Sequence, residues 1–178
     1  SIELYEEIPS DLVPFEQRPW MKAAEITDAT LAHLAQGKTS YARINYANGD
    51  MVGHTGDLHS TILSLEALDL SLGRLLKGVK KLEGAVFITA DHGNSEQMFE
   101  RDKKTGEVKV GHTGKPKALT SHTLNPVPLT LFDPLKQCPQ LIRQSSEPIG
   151  LANLAATTIE LLGLVPPDDY AFSLLGRV

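Results

Sequence analysis

Gly84-Ala85-Val86-Phe87-Ile88-Thr89-Ala90-Asp91-His92-Gly93 is the stretch on which the fold turns. Residues 85–90 form an unbroken run of apolar and β-forming residues without polar alternation. That pattern predicts a strand covered on both faces, as in the parallel sheet of an α/β protein. The run stops at a carboxylate and an imidazole. In open α/β sheets ligands sit beyond the carboxyl ends of strands, so Asp91 and His92 stand where chemistry is expected.

Working outward, residues 57–80 carry Ile62, Leu65, Leu68, Leu72, Leu75, Leu76 and Val79 at steps of three and four. This predicts a long helix with a buried leucine stripe. A second helix is expected from Pro19 to about Gln36, stopping at Gly37. A third is expected over 147–163, before Pro166-Pro167. Short strands are predicted over 41–46 and 127–132. The Lys-, Glu- and Gly-rich segment 97–120 reads as an exposed excursion with a hairpin tip at Thr105-Gly106. Helices alternating with apolar strands imply a layered α/β fold with a mostly parallel sheet flanked by helices. Three strands are few for such a sheet.

Composition narrows the function classes. The chain has 178 residues, 17 Lys and Arg against 22 Asp and Glu, a net charge of −5 and 41% hydrophobic residues. This is one ordinary domain with enough apolar material for a core, and it is neither disordered nor collagen-like. Mild acidity argues against a nucleic-acid partner or a polybasic membrane surface. The single cysteine, Cys138, excludes an intrachain disulfide. There is no signal-peptide pattern and no apolar stretch approaching the ~20 residues that span a bilayer, so a cytoplasmic location is expected. Ser1 stands where an initiator Met is usual, which suggests a piece of something longer.

Two further clusters join Asp91 and His92. Asp50-Met51-Val52-Gly53-His54 puts a carboxylate and an imidazole four residues apart, on one face if the segment is a helical turn. His122 lies in Thr120-Ser121-His122-Thr123, just before the third strand. Imidazole and carboxylate donors without thiolate suit Mn²⁺, Zn²⁺, Fe²⁺ or Co²⁺ rather than Ca²⁺ or a closed structural zinc site. Five donors exceed what one open ion needs. A pair of ions roughly 3.5–4 Å apart would use them, as in phosphoryl transfer.

Each residue also has a plainer reading: Asp91 as a helix cap, Asp50 as a turn residue after Asn48-Gly49, any histidine as a hydrogen-bonded structural group. Gly111-His112-Thr113-Gly114-Lys115 lacks the spacing of a phosphate loop and reads as a flexible tip, although Gly-His-Thr-Gly also occurs at 53–56. His33 and His59 fall on predicted helices as surface or satisfied residues. Trp20 reads as a packing residue, and Cys138 has no histidine partner nearby in sequence.

Three motifs carry a family resemblance: residues 45–56 (Asn45 to Gly56, with Asn48-Gly49-Asp50-Met51-Val52-Gly53-His54), residues 88–94 (Ile88-Thr89-Ala90-Asp91-His92-Gly93-Asn94) and residues 120–128 (Thr120-Ser121-His122-Thr123-Leu124-Asn125-Pro126-Val127-Pro128). In this order they closely resemble the carboxy-terminal part of the cofactor-independent, or 2,3-bisphosphoglycerate-independent, phosphoglycerate mutases. Glu66-Ala67-Leu68-Asp69 and Leu161-Leu162-Gly163-Leu164 are similar to that family too, and Asp91-His92-Gly93 resembles the wider alkaline phosphatase superfamily.

The resemblance implies an alkaline-phosphatase-like fold, incomplete here, with residues 1–178 the carboxy-terminal metal-binding part of the phosphatase-like domain. It implies a glycolytic enzyme that interconverts 3-phosphoglycerate and 2-phosphoglycerate through a phosphoserine, with two Mn²⁺ or related divalent ions. Carried over by motif, Asp50, His54 and His122 would hold one ion, and Asp91 and His92 the second. The Asp and the nucleophilic Ser that complete the second set in the family have no matching motif upstream of residue 45. The transferase domain is also missing. The piece alone is therefore expected to be inactive, to hold one ion or none, and to self-associate through an exposed sheet edge. Gly49 stands where the family commonly has Pro, and the stretch from Glu100 to Lys117 is longer than in many relatives. Another enzyme of the superfamily, such as a phosphopentomutase or a metal-dependent phosphatase, and a catalytically dead metal-binding domain are the alternative readings.

Overall fold

A computed structural model describes residues 3–142 and 146–176. Its elements run α1 (Ala23–Leu34), α2 (Asn48–Gly53), α3 (Leu58–Lys81), β1 (Val86–Thr89), β2 (Leu129–Phe132) and α4 (Asn153–Leu161), with one 3-10 turn at Phe15–Gln17. α3 packs against both α1 and α2, and β1 pairs with β2.

The long helix forms where the leucine spacing places it. Asp57 caps its start: one carboxylate oxygen accepts the His59 N–H at 3.1 Å and the other the Ser60 hydroxyl at 2.9 Å. The buried stripe differs from expectation in its first half. Leu75 and Val79 are buried, but Ile62 and Leu65 are exposed, and Ser60, Thr61 and Ser64 face inward instead. Ser60 lies against the 3-10 turn, where its hydroxyl is 3.2 Å from Glu16 O, and α2 packs on the same helix with Gly49 facing Leu65. α1 begins at Ala23 rather than Pro19 because Met21 adopts a left-handed backbone (φ 46°) that cannot continue a helix. α4 is shorter than predicted, since residues 150–152 form a turn in which the Gly150 N–H donates to Asn153 Oδ1.

Two expectations about strands are corrected. Residues 41–46 form no strand; no ladder partner reaches them among the described residues, and Tyr46 instead bonds Thr27 of α1 through its hydroxyl at 2.7 Å. The β1–β2 pair is antiparallel, with Val86 opposite Phe132 and Thr89 opposite Leu129. A parallel return requires a crossover, usually helical. Residues 90–128 contain no helix; they fold back as the polar excursion, so the chain re-enters beside β1 in the opposite sense. β1 is accordingly half-buried, not covered on both faces.

The excursion is a pair of small hairpins. Isolated bridges join Phe99 to Ala118, Arg101 to Val108 and Val110 to Pro116, and Gly106 turns the first tip at φ +75°. Leu119 N–H then donates to Met98 O at 2.9 Å, returning the chain alongside the segment that follows β1. This return sets residues 120–123 against α2. No helix among the described residues is long and apolar enough to cross a membrane.

The cap gives a prediction for stability. The Ser60 hydroxyl foremost, with the His59 and Ser60 N–H groups, holds the Asp57 carboxyl below its ordinary value against a smaller upward push from burial. A lowered folded value means that the contribution is present above the ordinary carboxylate range and is lost as pH falls through the folded value. Asp57→Ala should cost about 1 kcal/mol at neutral pH. The difference from the parent should shrink below about pH 4, as measured by urea unfolding at both pH values.

Candidate metal centre

Asp50 lies in α2 and His54 is its C-cap residue, with the His54 N–H donating to Asp50 O at 3.0 Å. One turn of helix therefore sets both side chains on the same side. α2 is anchored by Asn48, whose buried amide donates to the carbonyls of Pro19 at 3.3 Å and Trp20 at 3.0 Å. From the chain after β1, Ser95 donates its hydroxyl to Gly49 O, and Asn94 donates its amide to Asp50 Oδ1 at 2.9 Å.

Three imidazoles converge on Asp50 Oδ1. The Nε2 atoms of His122, His54 and His92 lie 3.0, 3.1 and 3.8 Å from it. His54 Nε2 and His122 Nε2 are 3.0 Å apart, and the rings of His92 and His122 stack with centroids 3.5 Å apart. Asp50, His92 and His122 each offer an atom within 4.8 Å of the others. Asp91 sits at the rim, 89% exposed, with its Oδ1 3.6 Å from His92 Nε2.

The structure thus brings together Asp50, His54, His92 and His122, and leaves Asp91 touching the group only through His92. The two ligand sets implied by resemblance are not spatially separate, because His92 faces both Asp50 and Asp91. Two of the polar residues set aside in the sequence stand apart. His112 is exposed in the tip closed by Gly111 N–H to Lys115 O, and His33 pairs with Glu6 at 2.6 Å.

The donor chemistry fits a cation. His54 Nδ1 lies 2.6 Å from the Thr120 carbonyl, which can only accept, so Nδ1 carries the proton. With a hydrogen on Nδ1, the neutral tautomer of His54 is the one whose Nε2 lone pair points to a carboxylate oxygen and a second Nε2. Lone pairs so crowded are stabilised by a positive charge among them, and an outward Nδ1–H to a carbonyl is the usual support of a metal-bound histidine.

Supporting residues were not evident in the sequence: Thr120 acts through its backbone, and Asn94, although inside a recognisable motif, gave no sign of its target. Glu96 was missed altogether. Its carboxylate accepts the Asn94 N–H at 2.6 Å, the Asn125 amide at 2.9 Å and the Thr123 hydroxyl. Burial pushes the Glu96 carboxyl up, but these donors together outweigh it and hold the group below its ordinary value.

Comparison with known proteins gives a consistent set of likenesses. The profile of the family described as Metalloenzyme superfamily matches residues 2–166. The 2,3-bisphosphoglycerate-independent phosphoglycerate mutase of Trypanosoma brucei brucei is 50% identical over 97% of this chain and 31% of its own length. A probable 2,3-bisphosphoglycerate-independent phosphoglycerate mutase of Leptospira interrogans is 46% identical, again over 97% of this chain and 31% of its own length. A crystal structure of Leishmania mexicana phosphoglycerate mutase at low cobalt concentration superposes with a TM-score of 0.91 at 44% identity, covering 98% of this chain and 32% of that one. The chain therefore spans about a third of the length of the relatives it matches, and its layout is that of an α/β alkaline-phosphatase-like fold in part.

Proposed function

The chain belongs to the metalloenzyme superfamily, and we propose that it is the carboxy-terminal metal-binding part of the phosphatase-like domain of a cofactor-independent phosphoglycerate mutase. The observation that carries this reading is the convergence of three imidazole nitrogens on Asp50 Oδ1. Asp50, His54 and His122 would hold one divalent ion, and Asp91 and His92 would contribute to a second, Mn²⁺ being the ion proposed. When bound, such ions polarise a phosphoryl group and clamp the attacking and leaving oxygens of an in-line displacement.

This chain's own residues supply position and tautomer. α2 fixes Asp50 and His54 in one turn, the Thr120 carbonyl keeps the proton of His54 on Nδ1, and the Asn94 amide holds Asp50 Oδ1 toward the imidazoles. The substrate would be phosphoglycerate, interconverted between its 3- and 2-phospho forms in glycolysis, in the cytoplasm. The serine nucleophile, its neighbouring Asp and the transferase domain would come from residues outside these 178. The two-stranded sheet leaves an unpaired edge on each strand among the described residues, which supports self-association of the isolated piece.

A chimera tests the function directly. Replacing the matching third of the Trypanosoma brucei brucei relative with these residues should leave an enzyme that interconverts the two phosphoglycerates. A folded chimera that binds Mn²⁺ yet gives no interconversion would contradict the reading.

A further inference from the structure

Two loops carry donors to the cluster without belonging to any helix or strand: residues 91–97, with His92, and residues 120–125, with His122. Their rings stack at 3.5 Å with an interplanar angle of 18°, and both Nε2 atoms face Asp50. Loops hold such a register only where something joins them. The backbone join is a single bridge, Thr123 N–H to Gly93 O at 2.9 Å. The main side-chain join is Glu96, beside a longer bond from the Asn125 amide to Gln97 Oε1 at 3.4 Å.

We propose that Glu96 is a positioning residue of the metal centre, a carboxylate that locks the His92 loop to the His122 loop and thereby sets the ligand geometry. This rests on the metal-centre reading above. One carboxylate oxygen takes the Asn94 N–H at 2.6 Å from its own loop, and the other takes the Asn125 amide at 2.9 Å and the Thr123 hydroxyl from the facing loop. A group that only accepts suits this arrangement, since the Asn94 backbone N–H can only donate and the Asn125 amide and Thr123 hydroxyl are turned to present hydrogens to it.

Two further features show how tightly the lock is built. A side chain at Gly93 would collide with both Thr123 Oγ1 and the Glu96 carboxylate, so glycine is what lets the loops close on each other. Asn94, 5% exposed, is fixed at its backbone by Glu96 while its side chain donates to Asp50 Oδ1. A side chain at Gly53 would overlap Asn94 Oδ1, so the amide also lies flat against α2. Glu96 is thereby linked to Asp50 through one residue and to His122 through the neighbouring Thr123.

Glu96→Gln tests this without changing shape. The substituted amide places a donor where an acceptor now stands, whichever way it is turned, so either the Asn94 N–H loses its partner or Thr123 and Asn125 of the facing loop must turn from the positions in which they hold it. Mn²⁺ affinity, read by calorimetry and by the electron paramagnetic resonance of bound ion, should fall by about 10- to 100-fold, the range typical of groups that orient metal ligands. Thr123→Val, which removes one bond from the facing loop, should shift affinity in the same direction by less. Asp57→Ala, which weakens the fold at a helix cap outside the cluster, should lower thermal stability and leave Mn²⁺ affinity unchanged, separating positioning from general destabilisation. Mn²⁺ binding by Glu96→Gln within twofold of the parent would overturn the assignment of Glu96 alone. A parent chain that takes up no Mn²⁺ would overturn the metal-centre reading and this inference with it.

Discussion

Asp50→Asn is expected to weaken Mn²⁺ binding by at least about 100-fold, at or beyond the upper end of what groups behind the ligands contribute. Asp50 Oδ1 is the one atom that His54, His92 and His122 all face, at 3.1, 3.8 and 3.0 Å. The substitution keeps side-chain shape and leaves the α2 backbone intact, yet removes the negative charge on which the imidazoles converge. It also sets an amide against the Asn94 amide that now donates to Oδ1 at 2.9 Å. Calorimetric titration gives the affinity, and circular dichroism shows that the fold persists. Binding that survives within tenfold would mean that the ion, if any, is held elsewhere.

The isolated 178-residue chain, supplied with Mn²⁺, should show no interconversion of 3- and 2-phosphoglycerate above background. Ions orient and polarise a phosphoryl group, but a covalent route also needs a hydroxyl placed in line with it. Ser95, near α2, already gives its hydroxyl to Gly49 O, Ser60 and Ser64 are buried within α3, and the exposed Ser121 beside His122 does not sit in a motif matching that of the nucleophile in the proposed family. Turnover by the isolated chain, freed of host mutase, would show that a hydroxyl of its own performs the step. Silence in the isolated chain with activity in the Trypanosoma chimera is the pair of results expected.

Much of the candidate site was legible because its donors are local in sequence. Asp50 and His54 are four residues apart, and helical spacing alone puts them on one face once the segment is a helix, as it is. Asp91 and His92 follow a run of apolar residues whose end is plain. The long helix was legible for the same reason, its period lying within one segment. What was not legible depends on segments far apart meeting in space. Glu96 bonds Thr123 and Asn125 across 27 and 29 residues, and nothing in its neighbourhood marks it. The inward Ser60, Thr61 and Ser64 of α3 lie on the helix that both the 3-10 turn and α2 pack against, a tertiary fact that outranks the leucine pattern. Apolar character in residues 85–90 identified a strand but could not give its direction relative to 129–132, because that is set by the absence of a helix in the intervening excursion. Residues 41–46 have the composition of a strand without a partner among the described residues, and composition does not make a ladder.

The most direct test of the metal centre compares two histidines in the same tetrapeptide. His54 stands in Gly53-His54-Thr55-Gly56 and faces Asp50, whereas His112 stands in Gly111-His112-Thr113-Gly114 on an exposed tip. Calorimetric titration of Mn²⁺ into the parent chain should show uptake dominated by one tighter site. The same titration should lose most of that binding in His54→Ala and leave it unchanged in His112→Ala. Equal weakening in the two variants, or no uptake by the parent, would contradict the account.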